Sequence, residues 1–141
     1  METSLKELKE LFHLEDQDIR SYSPLTLAYI GDGVYELIIR TILVKKGNCP
    51  VNRLHKKASS LVKAAAQSGI MEVIEEKLTP EELSVYRRGR NAHSPTMAKH
   101  ATMADYRRAT GFEALMGYLY LKEEYERMIT LIRMGIREED L

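Results

Sequence analysis

The fold is decided by one apolar stretch, Leu27-Ala-Tyr-Ile-Gly-Asp-Gly-Val-Tyr-Glu36. Just before it, Ser23 and Pro24 form an N-cap followed by proline at the first helical position, which predicts a helix start. The apolar residues continue until Gly47, which predicts the helix end. Because apolar residues cover nearly every side of this helix, we expect it to be the central, buried helix of the protein.

The rest of the chain also predicts helices. Ser4 and Glu7 form a capping-box pattern for a short N-terminal helix, and Thr79 with Glu82 forms the same pattern later in the chain. Helical spacing of apolar residues predicts further helices over 50–69, 70–78, 79–90, 104–121 and 123–137, with a loop over 91–102. No alternating strand pattern is present. The prediction is one all-α domain over residues 1–141, with its core at about 24–137.

The charges are unevenly distributed although they sum to zero. The 141 residues include 21 Lys or Arg and 21 Asp or Glu. Residues 45–63 carry six basic side chains and no acidic one, and residues 87–108 carry six basic side chains and only Asp105 as an acid. Each basic segment could be a solvated helix face or a surface that binds phosphates, and charge alone leaves both readings open.

Several classes of protein are excluded by composition. The single cysteine, Cys49, excludes an intramolecular disulfide and a zinc site built from a cysteine cluster, and it is consistent with a cytoplasmic protein. No apolar run approaches the ~18 residues of a membrane span, and the N-terminus has no signal-peptide pattern. The four histidines lack metal-ligand spacing. No Ser-His-Asp, Walker or dinucleotide-binding pattern is present.

Asp32 lies inside the apolar helix, where we expect it to be buried. A buried carboxylate must be paired, bound to a cation or strongly shifted in pKa. Gly31 and Gly33 flank it, and paired glycines in a helix interior indicate close approach of another group to the backbone. The structural alternative is an ion pair of Asp32 with Arg40 or a lysine, with glycines that serve helix packing.

Glu113 is the second isolated acid on an apolar helix. Together with Asp32 it could hold Mg²⁺, which proteins bind through one or two carboxylates while water and substrate phosphate complete the shell. Glu36 lies one turn after Asp32 and could join this site, or it could form a charged stripe with Arg40. Between the two acids, the segment 87–96 is rich in Arg, Ser and Thr, which suits phosphate contact.

Five stretches resemble one known family. The stretch Leu27-Ala-Tyr-Ile-Gly-Asp-Gly-Val-Tyr-Glu36 resembles the signature helix of ribonuclease III catalytic domains, and Phe112-Glu-Ala-Leu-Met-Gly117 resembles their second acidic helix. The match is closest to Mini-ribonuclease III, the short bacterial branch that lacks a double-stranded-RNA-binding domain. Three further matches to this branch are Leu54-His-Lys-Lys57, Arg88-Gly-Arg-Asn-Ala92 and Tyr106-Arg107. The resemblance runs from about residue 24 to residue 121.

The resemblance implies a helical, homodimeric, Mg²⁺-dependent endoribonuclease that cuts double-stranded RNA and leaves 5′-phosphate and 3′-hydroxyl ends. In this branch the substrate is the precursor of 23S ribosomal RNA, trimmed at both ends, with a ribosomal protein as a candidate helper that presents the RNA. Asp32 and Glu113 match the catalytic, metal-binding acids. We expect RNA phosphates to be contacted by the basic segments, at Lys56, Lys57, Arg87, Arg88, Arg90, Asn91 and Lys99.

The chain also departs from longer ribonuclease III proteins. Ala28, Leu25 and Thr110 stand where those proteins carry further acids, which leaves open how many metal ions each site holds. Pro95 stands where the short branch usually has glycine. One alternative function is a non-catalytic RNA-binding or ribosome-assembly factor on the same scaffold, and another is a helical interaction module whose buried acids are structural.

Overall fold

The described part of the chain is built from α-helices. The computed structural model describes residues 2–92 and 102–141, with side chains from residue 5 onward. Over these residues no strand is present, which confirms the predicted all-α class, and no helix is long and apolar enough to cross a membrane. The helices are α1 (Glu2–Leu11), α2 (Pro24–Lys46), α3 (Val51–Val62), α4 (Ala64–Ile74), α5 (Pro80–Asn91), α6 (Met103–Leu121) and α7 (Tyr125–Gly135).

The core is organised around α2 and α6, which pack against each other. Helices α4 and α5 pack on α6, α3 packs on α2, and α7 packs on α4. Helix α6 is the most buried, since ten of its residues between Ala109 and Leu119 are buried. The expectation that α2 is buried on all sides is wrong, because Tyr29, Leu37 and Val44 are exposed on it. Neighbouring helices cover only one side of α2, so its apolar outer side faces solvent in the protomer.

Local capping signals set the starts of α2 and α5 as the sequence predicts. The Ser23 hydroxyl accepts a hydrogen bond from the Thr26 backbone N–H at 3.2 Å and caps α2. The Thr79 hydroxyl accepts one from the Glu82 backbone N–H at 3.2 Å, and the Glu82 carboxylate accepts one from the Thr79 backbone N–H at 2.9 Å, so the capping box is confirmed. The start of α6 has a cap that the sequence analysis did not predict, because the Thr102 hydroxyl accepts a hydrogen bond from the Asp105 backbone N–H at 3.0 Å.

Two predicted boundaries are wrong. Helix α1 begins at Glu2, so Ser4 lies within it and is not its N-cap. The predicted helix over 50–69 is instead broken at Lys63, whose extended backbone separates α3 from α4, and α4 continues through Gly69. The break allows α4 to bury Gln67 and Met71 among the core helices. The free energy gained by this burial outweighs the low helix propensity of Gly69, so the helix continues through that residue.

Candidate active site

Two glycines allow α2 and α6 to cross with their backbones in contact. A Cβ atom on Gly31 would overlap the backbone carbonyl oxygen of Glu113, and one on Gly117 would overlap that of Leu27. Only glycine fits at either position, because the neighbouring atoms belong to the backbone and cannot move aside. The crossing brings together Asp32, which follows Gly31, and Glu113, which lies one turn before Gly117.

Gly33 does not take part in this contact. It is exposed, and a Cβ atom built on it would meet no atom within 4 Å. The prediction of a close backbone approach beside Asp32 is therefore right for Gly31 and wrong for Gly33. A glycine pair in the sequence cannot tell which member faces the neighbouring helix, since that depends on where the second helix crosses.

The carboxyl groups of Asp32 and Glu113 are in hydrogen-bonding contact. Burial, followed by this contact and the charge of Asp32, raises the pKa of Glu113 to about 8. The expectation that both acids are buried holds only in part, because Glu113 is largely covered and Asp32 is exposed. Asp32 projects from the side of α2 that α6 leaves open. The pair therefore extends from the protein interior to solvent.

Gln67 is a functional candidate that sequence reasoning missed. It lies in α4, is 2% exposed, and its side-chain amide lowers the pKa of Glu113. This effect opposes that of burial, because the amide favours the ionised form of the Glu113 carboxyl group. The amide also donates to the Val62 backbone carbonyl at 3.1 Å. The sequence feature that could have indicated Gln67 is a polar glutamine directly after the three small residues Ala64-Ala-Ala66.

Glu36 and Arg40 form the charged stripe that the sequence offered as one alternative. The Arg40 guanidinium donates to the Glu36 carboxylate at 3.0 Å, one turn apart on the surface of α2. In residues 2–92 and 102–141, no ion pair involves Asp32, so pairing with Arg40 does not account for this acid. Among the described residues, the carboxyl group of Asp32 therefore interacts with that of Glu113.

The predicted RNA-binding residues are divided between two helices. Arg87, Arg88 and Asn91 line one groove on the outer side of α5, together with Ser84. Arg90 points differently, because its guanidinium lies 5.6 Å from the centre of the Tyr86 ring.

The remaining predicted RNA-binding residues fall on α3 or outside the described chain. Lys56 and Lys57 are exposed on α3. Lys99 lies outside the described residues, as do His93, Pro95 and His100.

The arginine-bearing end of α5 packs closely against α6. A Cβ atom on Gly89 would stand 2.8 Å from the Cβ of Ala114 and 2.9 Å from the Cα of Gly111, so α5 packs directly against the turn of α6 that carries Glu113. This close packing holds the arginine-bearing end of α5 against α6.

The carboxylate pair fits a divalent cation. Two ionised carboxylates in contact repel each other, and a cation between them removes that repulsion. Within the described residues no group of three or more Asp, Glu, His or Cys side chains converges, so the protein offers two acidic ligands. Mg²⁺ is commonly held by one or two carboxylates, while water and substrate phosphate fill the other positions.

Comparisons with known proteins agree on one family. The family model described as the ribonuclease III domain matches residues 25–124. A protein named Mini-ribonuclease 3 from Clostridium tetani is 50% identical over 121 residues, which cover 85% of this chain and 80% of that protein. One of the same name from Thermoanaerobacter is 47% identical over 88% of this chain and 87% of its own length. A crystal structure of a Fusobacterium nucleatum protein has a TM-score of 0.78 and 33% identity, and the match covers 86% of this chain and 98% of that one.

Proposed function

Because the chain belongs to the ribonuclease III family, with Mini-ribonuclease 3 proteins among its relatives, and is an endoribonuclease acting on double-stranded RNA, we propose that Asp32 and Glu113 hold a catalytic Mg²⁺. The observation that carries the proposal is the contact of the two carboxyl groups at the crossing of α2 and α6. A non-catalytic role on the same scaffold is not favoured for a member of an endoribonuclease family.

The reaction is hydrolysis of a phosphodiester bond that leaves a 5′-phosphate and a 3′-hydroxyl. When bound, Mg²⁺ lowers the pKa of a water molecule and stabilises negative charge on the scissile phosphate. Glu113 supplies a partly buried ligand, while Asp32 supplies one at the surface, where an RNA strand can approach. The two acids therefore play unequal parts, with the partly buried one anchoring the site and the exposed one facing the substrate.

The basic residues bind the backbone of the RNA duplex. Arg87 and Arg88 have no ion-pair partner in the described chain, so their guanidinium groups are available for phosphates. Recognition is expected to follow the A-form shape and the 2′-hydroxyls, because the RNA major groove is too narrow to read. The other contributors are Lys56, Lys57, Arg90, Asn91 and Lys99.

The active protein is a homodimer in which each protomer is one catalytic domain over 1–141, with its core at about 24–137. The support for the dimer is the outer face of α2, where Tyr29 is 82% exposed, Leu37 56% and Val44 59%. These three residues fall on one side of the helix at a spacing of two turns. A two-fold dimer gives two sites, each able to cut one strand of a duplex.

The substrate proposed for this endoribonuclease is the precursor of 23S ribosomal RNA, cut in the cytoplasm at both ends, with a ribosomal protein as a candidate helper. The support is the similarity to Mini-ribonuclease 3 proteins over most of the chain. The test is incubation of a precursor transcript containing both ends, and of an unrelated duplex of equal length, with Mg²⁺ or EDTA. Cleavage of the precursor at both ends with Mg²⁺ alone is expected. Cleavage in EDTA would contradict the proposed metal dependence. Equal cleavage of the two RNAs would contradict the proposal that the 23S precursor is the specific substrate.

A further inference from the structure

The apolar side of helix α1 is exposed in the protomer. Leu8 is 46% exposed, Leu11 74%, Phe12 68% and Leu14 52%, and no side chain of residues 5–14 belongs to the hydrophobic core. A helix as short as α1, with ten residues, is only marginally stable alone in water, because most helices in proteins are stabilised by packing of their apolar side. The exposed apolar side of α1 therefore indicates a packing partner outside the protomer.

An apolar groove of about 200 Å³ lies between α2 and α3. Two of its lining residues, Val44 and Val51, are 59% and 64% exposed, whereas Leu43 and Ala58 are buried. None of the residues that line the groove comes from α1, so the groove is open in the protomer. The full lining consists of Arg40, Leu43, Val44, Val51, Leu54, His55 and Ala58.

The segments that carry these two surfaces have opposite charges. Residues 1–20 carry six acidic and three basic side chains, a net charge of −3. The part of the groove that belongs to α3 lies within residues 45–63, which carry six basic side chains and no acidic one. Opposite charges favour and orient the association of two surfaces. The acidic charge also disfavours RNA and an anionic membrane as occupants of the apolar side of α1, since both are negative.

The proposed two-fold dimer brings α1 to the groove of the partner protomer. Helix α1 precedes the N-terminal end of α2, whereas the groove lies near its C-terminal end, with Leu43 about 29 Å along the helix from Pro24. A two-fold axis through the outer face of α2 makes the two α2 helices run in opposite directions. The N-terminal end of one α2 then lies at the C-terminal end of the other, so α1 comes next to the partner's groove.

We propose that α1 of each protomer packs its apolar side into the groove between α2 and α3 of the partner protomer, so that the two protomers exchange N-terminal helices. This inference rests on the proposed homodimer. Leu8 and Phe12, one turn apart on α1, supply the apolar contact. Lys56 lies two positions after Leu54, on the other side of α3, and stays exposed to RNA.

Chemical crosslinking of the full-length protein tests which chain holds α1. Cys49→Ser removes the native thiol, and Phe12→Cys with Val51→Cys places one thiol on α1 and one on the groove. A bis-maleimide reagent should give a covalent dimer on a denaturing gel. A link within one chain, seen as a faster-migrating monomer, or the absence of any link would overturn the exchange.

The matched crosslinking control combines Cys49→Ser and Phe12→Cys with Ile129→Cys. Ile129 is 51% exposed but lies on α7, away from the groove. This protein should remain monomeric on the denaturing gel. Covalent dimer in equal amount would show that the link to residue 51 is not specific, and it would contradict the exchange.

Sedimentation equilibrium separates the exchange from the homodimer on which it rests. Phe12→Glu should raise the dimer Kd about 100-fold or more, because one buried phenylalanine contributes tenfold or more and a two-fold dimer loses two. Val51→Glu should act alike from the groove side, and Ile129→Glu should leave the Kd unchanged. A monomeric wild type would show that the homodimer itself is wrong. A dimeric wild type with an unchanged Kd in Phe12→Glu would overturn only the exchange.

Discussion

Gly31 of α2 lies against the backbone carbonyl of Glu113 in α6, with no room between them for a Cβ atom. The proposed active site depends on this contact, because it is the crossing of these two helices that places Asp32 beside the Glu113 carboxyl group. A methyl group at Gly31 would push the helices apart and separate the acids. The stability of the fold and the geometry of the proposed active site therefore depend on the same close approach.

Gly31→Ala should destabilise the protein by about 3 kcal/mol, the upper range for overpacking a well-packed contact. Gly33→Ala is the matched control, because Gly33 is two residues away in the same helix and has open space around it. It should stabilise the protein by roughly 0.5–1 kcal/mol through helix preference. Urea unfolding followed by circular dichroism measures both. Equal effects of the two substitutions would contradict the crossing.

Asp32→Asn should bind duplex RNA as the wild type does but cleave it slower by on the order of 100-fold or more, because the amide is a poor ligand for Mg²⁺. Glu36→Gln is the control, since Glu36 is an acid of the same helix that pairs with Arg40 at 3.0 Å. We expect this control to cleave normally. Gel-shift and single-turnover cleavage assays separate binding from catalysis. Wild-type cleavage by Asp32→Asn would refute the assigned role.

The raised pKa of Glu113 predicts how stability changes with pH in metal-free protein. Between about pH 4.5 and pH 8 the folded protein keeps a proton on Glu113 that the unfolded chain has lost. The free energy of unfolding should therefore fall as pH rises through this range, by on the order of a few kcal/mol. Glu113→Gln should lack this component. Urea unfolding in EDTA at several pH values measures the free energy of unfolding of both proteins. If this free energy changes with pH equally in the wild type and in Glu113→Gln, the raised pKa of Glu113 is excluded as the cause.

Arg87→Ala should weaken duplex RNA binding at low salt, because the exposed guanidinium no longer contacts a phosphate. The slope of log affinity against log salt concentration should become shallower by about 0.7–0.9, the value for one lost phosphate contact. Arg137→Ala is the control, since Arg137 is exposed but pairs with Asp140 at 3.1 Å. Fluorescence anisotropy over a salt series measures the slope. An unchanged slope in Arg87→Ala would remove this residue from the RNA surface.

Tyr29→Glu should convert the proposed homodimer to monomer, because it introduces a charge on the exposed apolar face of α2. Ile129→Glu is the control, since Ile129 is 51% exposed but lies on α7. Sedimentation equilibrium gives the association state of each protein. A monomeric wild type, or a Tyr29→Glu protein that remains dimeric, would show that this face is not the interface.

The starts of α2 and α5 and the two catalytic candidates could be predicted from the sequence, for local reasons. A capping box depends on hydrogen bonds between residues three positions apart, so Thr79 and Glu82 were sufficient to predict the start of α5. Asp32 and Glu113 could be identified because each is an isolated acid in an apolar helix. Neither inference required knowledge of where another helix lies.

The contact between those acids, the exposure of Asp32 and the position of Gln67 were decided only by the tertiary structure. Burial of a helical residue depends on which side of the helix its neighbours cover. When apolar residues lie on every side of a helix, their periodicity does not indicate which side that is. The break at Lys63 likewise follows from burying Gln67 and Met71 in the core. The sequence determined which residues can do the chemistry. The crossing of α2 and α6 at Gly31 and Gly117 decided which of these residues meet. Close contact between two helix backbones determines which side chains, distant in the sequence, lie next to each other.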